Sequence, residues 1–170
     1  LNEQSIVLKV DELADGDARA AYKNTQLDMR QYKKLRMEAH AEAITGEVLE
    51  NNQLVAFIRL GTDYKDNYYE YEVPLELTPP GRYDNDSESD RQIVWPGSNQ
   101  FEVVLDDFKE LKQARNRAMS DPESDVAVSS VYSEIDAEGN RISVTGNPNL
   151  SSVRTIMIGV RNPKAGHNTY

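Results

Sequence analysis

Three groups of side chains in this sequence have the composition of a ligand site. Glu38, His40 and Glu42 occupy alternate positions in "LRMEAHAEAI". Alternate residues of an extended strand share a face, so an imidazole flanked by two carboxylates would converge on one divalent metal ion. The same spacing also describes a solvated strand face opposite an apolar one, and that is the simpler reading, because no third segment supplies an obvious further ligand. Asp84, Asp86, Glu88 and Asp90 stand at every second position of "DNDSESD", the opening of a calcium loop. Ser89 falls where an EF-hand needs glycine and Trp95 where it needs the bidentate glutamate, which leaves a charged surface loop or some other calcium site. Tyr64, Tyr68, Tyr83 and Trp95 flank polar loops, where exposed rings would stack on a sugar.

None of these groups carries an enzymatic signature. Serine–histidine–acid chemistry would have to use His40 or His167, and neither follows a nucleophile-elbow pattern. Carboxylates are abundant, yet a hydrolytic pair is defined by a separation that no motif here imposes. The absence of cysteine removes thiol nucleophiles, disulfides and cysteine-based zinc or iron–sulfur sites. Nineteen basic against 29 acidic residues give a formal charge of −10 with no Lys/Arg cluster to follow a phosphate backbone, which argues against nucleic acid as a partner. The expectation is a protein that is not an enzyme and needs no cofactor.

The elements that must position these residues are mostly strands. In "FIRLGTDYKDNYYEYEVPL" the odd positions Tyr69, Tyr71, Val73 and Leu75 form an apolar register, and Glu70 and Glu72 fall between them. That is a strand with one buried face, which makes Tyr69 and Tyr71 core residues. Leu54, Ala56, Ile58 and Leu60 form a matching register upstream, and Gly61 to Asn67 has turn chemistry, so the pair is a hairpin. Further strands are expected over Ser5 to Val10, Ala18 to Tyr22, Leu35 to Ile44, where the alanines leave a helix as the alternative, Val126 to Ile135, Arg141 to Val144 and "SVRTIMIGV". "TPPGRYDNDSESDRQIVWPG" reads as a long acidic surface loop. The period then changes: Leu105, Phe108, Leu111 and Arg115 recur at helical spacing, which predicts one amphipathic helix near Asp107 to Met119, with Asp107 and Glu110 at capping-box spacing.

At 170 residues the default is a single domain, residues 1–170. Its expected fold is a mostly β, antiparallel β-sandwich, jelly-roll-like, with one amphipathic helix. No apolar run approaches the roughly 20 residues of a membrane-spanning helix. The chain starts without methionine or a signal peptide and so reads as a mature form or a piece of something longer. On residues alone, a jelly-roll carbohydrate-binding module, with or without a structural calcium ion, is one function that such a fold would serve.

The wording of several segments is more specific than their periodicity. "LDMRQYKKLRMEAHAE", "RLGTDYKDNYYEYEVPL", "VWP", "LKQARN" and "GNPNLSSVRTIMIGVRNP" run in this order from about Leu27 to Pro163. Together they closely resemble a segment of the SprA/Sov family, the very large outer-membrane translocons of the type IX secretion system of Bacteroidetes, linked also to gliding motility. Glu38 departs from the family pattern, where an apolar residue is expected. The resemblance implies an extramembrane structural and interaction domain, cut from a giant barrel protein that passes folded cargo across the outer membrane. It implies a location on the extracellular or periplasmic side, the extracellular side favoured. The partners implied are neighbouring parts of the translocon, cargo, or other secretion subunits. No catalytic residue is carried over.

Overall fold

The computed structural model describes residues 5–44, 46 and 48–163. Its strands are β1 (Ala18–Leu27), β2 (Lys34–Met37), β3 (Val55–Gly61), β4 (Tyr68–Pro74), β5 (Phe101–Val104), β6 (Tyr132–Ile135), β7 (Arg141–Thr145) and β8 (Val153–Arg161). The helices are α1 (Glu88–Val94) and α2 (Leu105–Met119). Six strands make one antiparallel sheet in the order β1-β8-β3-β4-β7-β6, and β2 pairs with β5 in a separate antiparallel ribbon. The mostly β, antiparallel architecture is the one expected from the sequence.

The β3–β4 hairpin sets the register of the sheet. Leu60 lies opposite Tyr69, Ile58 opposite Tyr71 and Ala56 opposite Val73, so both apolar registers share one face. The turn closes on Asp63, whose Oδ1 accepts from the backbone N–H groups of Lys65, Asp66 and Asn67 while Oδ2 accepts from the Asn67 amide. Gly61 is required there by close approach: a Cβ would stand 2.1 Å from the Asn67 carbonyl oxygen.

The apolar face of the sheet is covered by the β2–β5 ribbon and by α2. Phe101, Val103, Leu105, Phe108 and Leu111 come down on Tyr69, Tyr71, Ile142 and Val144 in one buried cluster. The Tyr69 and Phe108 rings stack at 4.9 Å, and Tyr71 meets Phe101 at 6.0 Å. Both tyrosines belong to the core, as their register predicts, and their hydroxyls find partners in the Pro148 carbonyl and the Asp136 carboxylate. Burial lifts the Tyr69 phenol to about 12 and raises Tyr71 as well, helped by its bond to Asp136. These are fixed, protonated side chains.

Departures from the expected elements have local causes. Ser5 to Val10 forms no strand: Ile6 and Val7 are exposed and no neighbouring strand is hydrogen-bonded to them among the described residues. The alternation from Leu35 continues as far as Ala43, but only Lys34–Met37 is a strand, because its partner β5 begins opposite Met37, at Phe101. Ala39 and Ala41 still pack against the core without a ladder. Of Val126 to Ile135 only Tyr132–Ile135 pairs. The acidic loop contains the short helix α1, capped by Ser87. The capping box at Asp107 is not formed: β5 runs straight into α2, Val104 takes the cap position, and the Leu105 N–H donates to the Lys33 carbonyl instead.

Candidate functional site

The outer face of the sheet departs most from expectation. Glu70 and Glu72, which alternation placed on a solvated face, are buried, and so is Tyr68. Arg59 lies opposite Glu70 in the hairpin, and Arg141 opposite Glu72 on β7. Arg59 Nε donates to Glu70, and the Arg161 guanidinium, reaching over from β8, holds Glu70 at 3.1 Å and contacts Glu72 as well. Arg141 Nε stands 3.7 Å from Glu72. Three guanidiniums thus enclose two carboxylates, drawn from four strands.

The same arginines cover the aromatic side chains of this face. The Arg59 guanidinium lies 4.0 Å from the Tyr68 ring centre, and that of Arg161 lies 4.7 Å from Phe57. Phe57 and Tyr68 are 2% and 6% exposed, so this side of the sheet is closed by long cationic side chains, and α2 and the ribbon pack on the opposite side. Gly159 on β8 makes room for it: a Cβ there would meet Phe57 Cζ at 2.5 Å and Ala20 Cβ at 2.6 Å. Both carboxylates are committed to arginines, an arrangement that fixes strands in place and offers no free acid or base.

A second buried cation fastens the core side. Arg115 on α2 is 2% exposed, and its guanidinium donates to the carbonyls of Gly146 and Val128 and to Asn116 Oδ1. Beside it Lys112 Nζ donates to the Pro148 carbonyl, and burial, with Arg115 adding repulsion, lowers that amine. These bonds anchor the segments on either side of β6 and β7 to the helix.

The candidates drawn from the sequence are placed apart. His40 Nδ1 lies 2.8 Å from the Val94 carbonyl, which only accepts, so this nitrogen carries the proton and ties the chain after β2 to the end of α1. Its Nε2 is 3.7 Å from Glu42, while Glu38 turns to a small cavity of about 110 Å³ beside Ala39, Trp95, Pro96, Gly97 and Gln100. Asp84 Oδ1 accepts from the Asp86 N–H, and Asp90 Oδ2 from the Asp84 N–H, so these carboxylates shape the turn before α1; Glu88 pairs with Arg91. Among the described residues no three histidine, aspartate or glutamate side chains form a group able to hold a metal. His167 lies outside the described residues.

The aromatic candidates also separate. Tyr68 is buried beneath Arg59, and the Tyr83 hydroxyl donates to the Pro79 carbonyl. Tyr64, in the β3–β4 turn, packs at 4.7 Å on Tyr22 of β1. Trp95 meets His40 at 5.6 Å, and His40 touches Thr78, beyond the far end of β4. The length of the hairpin, about 3.4 Å per residue, divides the two exposed rings. Sequence reasoning missed the arginine–glutamate lattice, although counting back from the turn pairs Arg59 with Glu70 directly.

The SprA_N family, described as motility related/secretion protein, matches residues 1–170. No curated protein matches the chain.

Proposed function

Since the chain belongs to the SprA_N family of motility related/secretion proteins, we propose that it is a non-enzymatic structural and interaction module of a type IX secretion translocon of the outer membrane, acting in protein export and gliding motility. The observation that carries the non-catalytic part of this reading is the lattice: its two buried carboxylates are saturated by arginines, and their role is to hold four strands together. Residues 1–170 act as one domain, outside the bilayer on the extracellular or periplasmic side. No helix among the described residues is long and apolar enough to cross a membrane. Its partners are neighbouring regions of the translocon, exported cargo, or other secretion subunits.

The carbohydrate-binding reading has less to stand on, because it needs exposed rings in one row and Tyr64 and Trp95 lie beyond opposite ends of the hairpin. The test is an in-frame deletion of this segment from the full-length parent, with surface proteins and colony spreading measured. Lost secretion and spreading, with the parent still present in the outer membrane, is the expected result. Normal secretion and gliding would overturn the proposal.

A further inference from the structure

The two edges of the six-stranded sheet are unlike each other. β6 is 4 residues long, and α2 packs beside it. β1 runs for 10 residues and is exposed at every position but Thr25, which is half-buried. It hydrogen-bonds to β8 along one side, and among the described residues no strand pairs with its other side. A long edge leaves a row of unpaired N–H and C=O groups, and folded proteins ordinarily blunt it with proline, a covering segment or a short strand. β1 contains no proline, and its one register irregularity falls near its end, between Asn24 and Leu27.

The side chains of β1 indicate what such an edge would accept. Arg19, Ala21 and Lys23 lie opposite Val160, Ile158 and Ile156 and share one face, while Ala20 and Tyr22 lie on the other. β1 contains no acidic residue, and the exposed Arg19 guanidinium donates to the Ala18 carbonyl at 3.0 Å and stands 3.5 Å from Asp17. Pairing with a second copy of β1 would bring four cations onto one ribbon with no carboxylate on either strand to face them, which is unfavourable across strands. A strand bearing carboxylates four residues apart matches Arg19 and Lys23, whose spacing along a strand is about 14 Å. Small or β-branched residues between them would meet Ala21, and on the other face Ala20 and Tyr22.

We propose that β1 is an acceptor edge, completed by an extended acidic segment that adds a seventh strand to the sheet by backbone hydrogen bonding, with its carboxylates placed against Arg19 and Lys23. This is strand addition, in which the main chain supplies affinity and alternate side chains supply selectivity. Nothing in this pairing depends on the secretion reading.

The test uses the full 170-residue chain and a fluorescent peptide, Thr-Glu-Thr-Val-Val-Glu-Thr. Two controls accompany it: the same peptide with both glutamates replaced by lysine, and one N-methylated on alternate backbone nitrogens along each edge in turn. Binding is followed by anisotropy, and amide exchange is mapped by NMR. The expected result is saturable binding of the acidic peptide below about 1 mM, slowed exchange within β1, and no binding by the peptide methylated on its pairing edge. The double variant Arg19→Glu, Lys23→Glu should reverse the preference toward the lysine peptide, by about tenfold for two inverted cross-strand pairs. Equal binding of both peptides, protection confined to another surface, or no binding at about 1 mM would each overturn the proposal. So would protection of β1 that depends on protein concentration alone, which would assign the edge to a second copy.

Discussion

Replacing Arg161 with methionine tests how the outer face is held. Methionine keeps an apolar stem over Phe57 and removes the guanidinium that bridges Glu70 and Glu72, which are 6% and 3% exposed. Deleting one partner of a buried ion pair costs about 3–5 kcal/mol, because the other charge is left uncompensated. Here Glu70 keeps Arg59, Glu72 keeps Arg141 at 3.7 Å, and Arg161 itself is 23% exposed. The loss is therefore reduced to about 2–3 kcal/mol, of which the cation–π contact over Phe57 accounts for about 0.5–1. With a urea m-value of about 2 kcal/mol/M, the unfolding midpoint should fall by about 1 M or somewhat more. Adding Glu72→Gln removes the stranded charge, so the double variant should be more stable than the sum of the singles by about 1 kcal/mol. In about 1 M salt, where the Debye length is about 3 Å, an exposed pair would lose its contribution and this one should keep most of it. A loss under about 0.5 kcal/mol, or strict additivity with Glu72→Gln, would refute the reasoning that these charges close the face.

Two further outcomes follow from polar anchors elsewhere in the fold. Arg115→Met should destabilise the chain by about 2–3 kcal/mol, since it strands the Gly146 carbonyl in the interior; hydrogen exchange should quicken most in residues 126–131 and 146–149, ahead of β3 and β4. Burial pushes the Asp63 carboxyl up, but the Asn67 amide and the N–H groups of Asp66, Lys65 and Asn67 outweigh it and hold it at about 2, below its ordinary 3.8. A depressed carboxyl contributes stability that is complete above the unfolded value and fades as pH falls through the folded one. The stability difference between the native chain and Asp63→Asn, about 1–2 kcal/mol near neutrality for this partly exposed group, should therefore shrink between about pH 4 and pH 2 in acid-dependent urea melts.

How much was legible in the sequence depended on whether an element's partner lay close along the chain. The β3–β4 hairpin was readable because Gly61 to Asn67 fixes its register and its apolar positions alternate without a break. α2 was readable from Leu105, Phe108, Leu111 and Arg115. Glu70 and Glu72 were read as solvated because alternation reports only which residues differ, and their burial depends on Arg141 and Arg161, from strands far along the sequence. The strand beyond Met37 failed for a similar reason: periodicity of side chains does not reveal how far the partner strand extends. The site candidates followed from spacing alone, and spacing did not show that the His40 proton was already engaged by Val94.

The first and last strands of the sheet lie side by side, with Ala18 opposite Arg161 and the backbones of Gly16, Asp17 and Asn162 bonded to each other just beyond. The polypeptide therefore enters and leaves the sheet at one corner. This geometry decides how the sheet bears load. Tension applied at that corner would part β1 from β8 one hydrogen bond after another, as a zip opens, whereas a shearing pull would break many together. A sheet whose first and last strands are drawn apart at one corner yields at lower force than one loaded in shear.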